Sequence, residues 1–216
     1  MNIKIKPENL CKIKKLDNFS EFENESKIFK EIRENRDIVN GKIIELLVST
    51  KREGISKLLE FLDRKDFFIS PASSKFHGNY PGGLADHSLN VYQKFKGYCQ
   101  LFGINLSEDS IIISSLLHDL CKAKLYKNVD GKWVYNIFVG NMGHAKFSIE
   151  RIKRFIELKE IEEQIIKYHM GFYYATEITK KGEYSLQELK KSFNNNIVKL
   201  FYFCDDMVSM YEDKKV

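Results

Sequence analysis

Only three prolines occur along the 216 residues, and two of them, Pro71 and Pro81, bracket one short stretch. Proline removes a backbone donor and breaks a helix interior. The long Pro-free spans on either side, rich in Lys, Glu, Leu and Ile, are therefore predicted to be helical. From Phe22 to Val39 the spacing of Phe29, Ile32 and Ile38 is loosely helical. After an Asn40-Gly41 break, Ile43, Ile44, Leu46, Leu47 and Val48 predict a short amphipathic helix. Ile55, Leu58, Leu59, Phe61 and Leu62 predict another after Gly54.

Between Phe68 and Gly83 the texture is that of turns: Ser70-Pro71-Ala72-Ser73-Ser74, then His77-Gly78-Asn79-Tyr80-Pro81-Gly82-Gly83. Helical texture resumes from Leu84 to about Phe102. Asn105 or Ser107 can cap a following helix that carries Ile111 to Leu120. Asp130-Gly131, between Leu125-Tyr126 and Trp133-Val134-Tyr135, is the single good hairpin signal. Further helices are predicted over His144 to Leu158, Glu160 to Met170 and Asn195 to Glu212. There is no internal repeat. The expected fold is all-α, a helical bundle with one short hairpin or extended loop, in which residues 1–64 form a helical extension packed on a domain of residues 65–216.

Hydrophobic residues make up 43% of the chain, with 16 Phe and 11 Tyr, enough to bury a core. The net charge is +5, and Lys4, Lys6, Lys12, Lys14 and Lys15 against Glu8 account for +4 of it before Asp17. The remainder is close to neutral, which does not indicate a basic nucleic-acid-binding slab. Runs such as Ile111-Ile112-Ile113 are too short to span a bilayer. Met1-Asn2-Ile3-Lys4 has no apolar h-region, so no secretion signal is expected. Cys11, Cys99, Cys121 and Cys204 are scattered without framework spacing. The expectation is a cytoplasmic, reduced protein with no membrane partner.

The chemistry lies in five histidines: His77, His87, His118, His144 and His169. His118 is followed at once by Asp119 inside an apolar stretch, where both side chains need partners. Adjacent helical residues point about 100° apart, yet both can grip one ion if the helix faces it. Lys122 stands at i+4 from His118 and i+3 from Asp119, so its ammonium projects to the same region and suits a phosphate-bearing ligand. A lone His-Asp pair is a weak signal. Four histidines on successive helices have the makings of an imidazole-carboxylate site at the centre of a bundle.

In these residues the chain resembles the HD superfamily of metal-dependent phosphohydrolases. The motif order is His, His-Asp, two further His, then Asp. It is met here by Gly82-Gly83-Leu84-Ala85-Asp86-His87, Leu116-Leu117-His118-Asp119-Leu120-Cys121-Lys122, Gly143-His144, Tyr168-His169 and Cys204-Asp205-Asp206. The resemblance runs from about Phe67 to Tyr211. The block from Pro71 to Leu84 is similar to a subgroup that includes a bacterial 3′→5′ exoribonuclease. Two positions depart: Cys121 stands for the usual Gly and Cys204 for the usual Ala.

The resemblance implies an HD-type helical bundle over 65–216 and a set of roles. His87, His118, Asp119 and the final Asp would hold one ion. Asp119 would bridge to a second held by His144 and His169. The ions would be divalent (Mn, Fe, Mg, Ni or Co). Asp119 and Lys122 would be catalytic, with Lys122 also contacting the substrate phosphate. The last ligand is Asp205 or its neighbour Asp206; on a helical wheel through Ile197 to Glu212, Asp205 lies at the edge of the apolar face and Asp206 almost opposite, which favours Asp205. His77 either contacts substrate from above the site or braces its loop. Trp133 and Tyr135 either stack on a base or anchor the hairpin.

The implied function is hydrolysis of a phosphoester of a nucleotide or related small molecule by a metal-activated hydroxide. An exoribonuclease is the alternative. The subgroup's exoribonuclease carries a barrel for RNA, whereas the first sixty residues here read as helices, and a phosphate backbone needs a basic track. A non-catalytic nucleotide-binding sensor is a third possibility. No motif in residues 71–81 or 126–142 translates into a base or a sugar.

Overall fold

The computed structural model describes residues 27–136, 143–180 and 182–212. The Lys-rich start with Cys11 lies outside them. The described chain runs α1 (Lys27–Ser49), α2 (Ile55–Arg64), α3 (Gly83–Leu101), α4 (Glu108–Leu117), a 3₁₀ turn (Leu120–Lys122) and a hairpin of β1 (Tyr126–Val129) and β2 (Lys132–Tyr135). It continues through α5 (His144–Lys153), α6 (Glu160–Tyr168), a 3₁₀ turn (Gly171–Tyr174), α7 (Leu186–Ser192) and α8 (Asn196–Met207), which a π-helical turn (Val208–Glu212) extends. The fold is all-α.

One core joins these helices. Leu47 from α1, Leu58 and Leu62 from α2, Leu84 and Phe95 from α3, Ile112 and Leu116 from α4, Ile165 from α6 and Phe201 from α8 are all fully buried within it. Each such side chain contributes about 1.5–3 kcal/mol by leaving water. α4 is buried on every side from Ser110 to Leu117, which makes it the central element of the bundle.

Two sequence expectations are corrected. The helix does not break at Asn40-Gly41: α1 runs through both. Gly41 is exposed and a side chain there would meet nothing, so it costs only the backbone entropy of about 1 kcal/mol. The buried Ile43, Leu46 and Leu47 hold the helix beyond it. Nor does the helix carrying His118 continue to Leu120. It ends at Leu117, and Asp119 leaves helical geometry at φ −103°, ψ 19° before the 3₁₀ turn.

The hairpin forms where Asp130-Gly131 predicts it, with Tyr126 opposite Tyr135 and Val129 opposite Lys132. Asp130 and Gly131 both adopt positive φ, 50° and 75°, the geometry that matches strand twist in a two-residue turn. Tyr135 is largely exposed and meets Tyr126 edge-on at 6.2 Å. Ahead of α3, Gly82 has φ 78°, and a Cβ on Gly83 would overlap the carbonyl of Gly78. That close approach folds the 70–83 loop against the start of α3, one turn before His87. No helix among the described residues is long and apolar enough to cross a membrane.

Candidate metal centre

Five elements converge on one buried point. α3 brings His87, the end of α4 brings His118 and Asp119, the start of α5 brings His144, the end of α6 brings His169 and α8 brings Asp205. His87, His118, Asp119, His169 and Asp205 are all at most 8% exposed. Asp205 Oδ1 lies 3.1 Å from His87 Nε2 and 3.6 Å from His118 Nε2. Asp119 Oδ2 lies 3.7 and 3.5 Å from the same two nitrogens. The other oxygen, Asp119 Oδ1, lies 2.6 Å from His144 Nε2 and 3.4 Å from His169 Nε2. One carboxylate thus faces two different pairs of imidazoles. The departure from helix at Asp119 aims its side chain between them.

The hydrogen bonds behind the rings fix what they can offer. His118 Nδ1 is 2.9 Å from the Ser115 carbonyl and His169 Nδ1 is 2.7 Å from the Ile166 carbonyl. A carbonyl only accepts, so both Nδ1 atoms carry hydrogen and both rings turn Nε2 inward, the atom that bears the lone pairs when an imidazole of this tautomer binds an ion. Those lone pairs meet carboxylate oxygens and, at 3.2 Å, the Nε2 of His87. His169 Nε2 is fully buried and makes no hydrogen bond. Acceptor facing acceptor in a dry site is unfavourable until a proton or a cation stands between.

The spacing suits a cation. Ligand bonds of about 2.0–2.2 Å place neighbouring donors roughly 3–3.5 Å apart. Three overlapping groups have ligand atoms within 4.8 Å of one another: His87, His118 and Asp119; His118, His169 and Asp205; Asp119, His144 and His169. A mixed imidazole-carboxylate set is one that first-row divalent metals take. These clusters can hold a divalent metal.

The electrostatics agree. Burial opposes the charge on Asp119, yet Lys122, His118 and His144 outweigh it and hold the carboxyl well below the usual range. Asp205 is held low in the same way, against burial, by His118 and His87. Burial lowers His144, against the pull of the Asp119 carboxylate beside it. In His169 burial acts to lower the pKa, but Asp119 prevails and raises it. Lys122 is buried too, and Asp119, 2.6 Å away, raises it further above neutrality.

The structure brings together all six expected ligands and Lys122. His77 lies beside them, its ring 5.1 Å from that of His87 and its Nε2 3.4 Å from Ser209 Oγ. Asp206 is only half-buried. Trp133 is half-buried in the hairpin.

Other residues at the site carry no signal in the sequence. Cys121 Sγ is 2.8 Å from His144 Nδ1, and burial pushes that thiol up, so it stays protonated. The buried Arg151 donates to the carbonyls of Leu120, Cys121 and Ala123, and Ser148 Oγ accepts from the Cys121 amide. Glu183 accepts from the amides of Ala145 and Lys146, both at 3.0 Å, and so pins the start of α5 at His144. The Tyr174 ring is 5.7 Å from His144. On α1, Arg36 donates to the Gly82 carbonyl and to Asp86 at the start of α3. Each of these contacts joins positions far apart in the chain, except that Cys121 is visible as a departure from the motif.

Comparison with known proteins agrees with this geometry. A dihydroneopterin 2′,3′-cyclic phosphate phosphodiesterase of Methanocaldococcus jannaschii is 30% identical over 150 residues, covering 60% of this chain and 59% of that protein. The 3′-5′ exoribonuclease YhaM of Bacillus subtilis is 26% identical over 133 residues, covering 59% of this chain and 42% of that protein. The chain therefore spans about half the length of these curated relatives. No solved structure matches it. The family model of the HD domain matches residues 84–202, a span that includes His87, His118, Asp119, His144 and His169 and stops three residues before Asp205. That span is more than half of the sequence, and the protein belongs to the HD domain family.

Proposed function

We propose that the protein is a divalent-metal-dependent phosphohydrolase that cleaves a phosphoester, and that its substrate is a nucleotide or a related small molecule. The observation that carries this reading is the division of Asp119: one oxygen toward His87 and His118, the other toward His144 and His169. His87, His118, Asp205 and Asp119 Oδ2 would hold one ion, and His144, His169 and Asp119 Oδ1 a second. The ions would be drawn from Mn, Fe, Mg, Ni or Co. Such a pair supplies a nucleophile from water near neutral pH and positive charge for the phosphoryl oxygens. Within the chain, Asp119 orients both halves of the site. Lys122 is a buried point charge beside it, within reach of a phosphoryl group held there. His77, above His87, would contact the rest of the substrate.

The phosphodiesterase and exoribonuclease names of the two relatives both describe cleavage of a phosphodiester, which makes a diester the first bond class to test. The helical α1 and α2 and the near-neutral charge outside the first residues favour a small substrate over RNA. We take residues 1–64 as an extension of the HD-type domain over 65–216. The test is elemental analysis of the purified chain, then hydrolysis of cyclic nucleotides, mononucleotides and short RNA with Mn²⁺. Hydrolysis of small diesters ahead of RNA is expected. Faster cleavage of RNA from its 3′ end selects the exoribonuclease. Tight nucleotide binding without turnover by metal-loaded protein selects the sensor.

A further inference from the structure

The helix that supplies Asp205 turns another face to solvent. In α8, Val198, Phe201, Cys204 and Asp205 are buried, whereas Phe203 is 51% exposed. At 100° per residue Phe203 stands about 160° around the helix from Asp205, so the face it centres looks away from the metal centre. The apolar surface continues on both flanks of α8. Toward the end of α3, Phe203 and Leu200 line an open cavity of about 290 Å³ with Phe102, Ile104, Asn196 and Lys199. On the other flank the Tyr202 ring lies 5.4 Å from that of Phe203 and 6.3 Å from that of Phe172. Phe102 and Phe172 are themselves 62% and 46% exposed.

With about 200 Å² on each aromatic side chain, the exposed part of this patch comes to about 400 Å². A subunit of a stable dimer buries about 800 Å², of which about 65% is apolar. The patch thus approaches the apolar share of one such interface.

The residues around Phe203 indicate what covers it. By helical phase, Lys199 and Asp206 lie about 40° and 60° to one side of Phe203, and Leu200 and Met207 about 60° and 40° to the other. Lys199 and Leu200 precede Phe203, and Asp206 and Met207 follow it at matching distances. A second α8 laid antiparallel over the first, with a two-fold axis at Phe203, reverses the order along the helix and keeps each side. It sets Lys199 beside Asp206 of the partner subunit, Leu200 beside Met207 of the partner subunit, and Phe203 against its own copy, so each contact between unlike residues is made twice. Within one subunit Lys199 and Asp206 are about 10 Å apart along the helix, too far to pair. The face is therefore complementary to itself in charge as well as in apolarity. The unbranched Met207 side chain of the partner can fill the cavity beside Leu200.

We propose that the Phe203 face of α8 is a dimerisation surface, on which α8 of a second copy of this chain packs antiparallel about a two-fold axis at Phe203. Each metal centre stays within its own subunit, because Asp205 points inward from the opposite face.

Sedimentation of the full-length chain over a concentration series is the first measurement, and a monomer–dimer equilibrium is expected. Phe203→Glu should be monomeric at every concentration. Lys199→Glu brings like charges together at two places and should weaken the dimer about 10-fold or more. Lys199→Glu combined with Asp206→Lys restores opposite charges and should recover it. Far-UV circular dichroism checks that each variant remains helical. The register has its own probe. Helices packed about 8–10 Å apart, with Cα atoms about 2.3 Å from each axis, bring residues on the two-fold axis to about 5 Å, a separation that a disulfide spans. In a Cys11→Ser background, Phe203→Cys should oxidise to a covalent dimer that a reducing thiol reverses. Lys199→Cys should not, since its two copies stand about 12 Å apart along the helices. A chain that stays monomeric at its highest soluble concentration overturns the proposal. So does a dimer that Phe203→Glu leaves intact, and so does cross-linking at 199 in preference to 203.

Discussion

Lys122 Nζ lies 2.6 Å from Asp119 Oδ2, the oxygen that also faces His87 and His118. The ammonium stands at the rim of the space an ion would fill and neutralises the carboxylate when none is there. In Lys122→Ala the metal-free protein keeps a buried Asp119 without its nearest cation, which should lower its stability by about 3 kcal/mol. Saturating Mn²⁺ should recover most of that loss, since ligand binding stabilises the folded state by mass action. Turnover by the metal-loaded variant should fall about 10²–10³-fold, as for loss of one charge-stabilising donor. Lys122→Arg should rescue only in part, because a planar fork does not replace a compact ammonium. Denaturant melts with and without metal, beside initial rates, check this. Wild-type turnover in the alanine variant removes Lys122 from the reaction.

Asp119 and His144 should separate the two halves of the centre. Asp119→Ala removes the carboxylate that both halves share and should abolish both metal uptake and hydrolysis. His144→Ala removes a ligand from one half only, so elemental analysis should find about one ion per chain and a greatly reduced rate. One ion per chain with full turnover in His144→Ala would leave a mononuclear centre as the working form, and two ions with full turnover would remove His144 from the ligands.

His77 sits over His87 without lying in any of the three metal-ligating groups. If it touches substrate, His77→Ala should raise KM several-fold with kcat and metal content little changed, the pattern of lost uniform binding. A fall in thermal stability with unchanged KM assigns it to bracing the 70–83 loop through Ser209.

Much of the centre is legible in the sequence because its ligands are chemically expensive to bury. A histidine beside an aspartate among isoleucines and leucines has to be satisfied by something, and that requirement singles out His118 and Asp119 before any coordinates. Helical phase favours Asp205 over Asp206, and it is Asp205 that lies buried beside His87 and His118 while Asp206 is half-buried. The Asp130-Gly131 turn is equally readable, since few dipeptides accept two positive φ angles. What the sequence hides is non-local or finely angular. The helix end at Leu117 carries no Gly or Pro, yet it decides that Asp119 faces two imidazole pairs instead of one. Arg151 and Glu183 stabilise Leu120–Ala123 and the start of α5 from about 30 residues away or more, and no local pattern announces such pairings. The continuity of α1 through Gly41 is hidden for the opposite reason: a glycine that weakens an isolated helix is tolerated where tertiary packing holds both sides.

Arg52, in the short link between α1 and α2, reaches into the bundle far from the metal centre. Its guanidinium pairs with both oxygens of Glu162 and with Asp109 Oδ2 at 3.2 Å, and donates to the Glu157 carbonyl. Glu162 is 0% exposed and is otherwise held by neutral donors, Ser110 Oγ at 2.7 Å and the Lys159 amide at 2.9 Å. Arg52→Ala therefore strands a buried carboxylate, an effect worth about 3–5 kcal/mol in a protein whose whole stability is of order 5–15 kcal/mol. Glu162→Gln in the wild-type background should cost less, because the amide oxygen can still accept from the Lys159 backbone while the amide NH2 donates to Ser110 Oγ in place of the bond Ser110 gave. The double variant should be more stable than Arg52→Ala alone, since the stranded charge is gone, and that difference is the coupling a double-mutant cycle reads. Urea midpoints for the four proteins check it, and metal content should be the same in all of them. If Arg52→Ala and the double variant unfold at one midpoint, the pair is a surface contact in energetic terms. Residues 27–64 would then be tied to the bundle by Arg36, which donates to Gly82 and Asp86, and by apolar packing such as that of Leu47, Leu58 and Leu62.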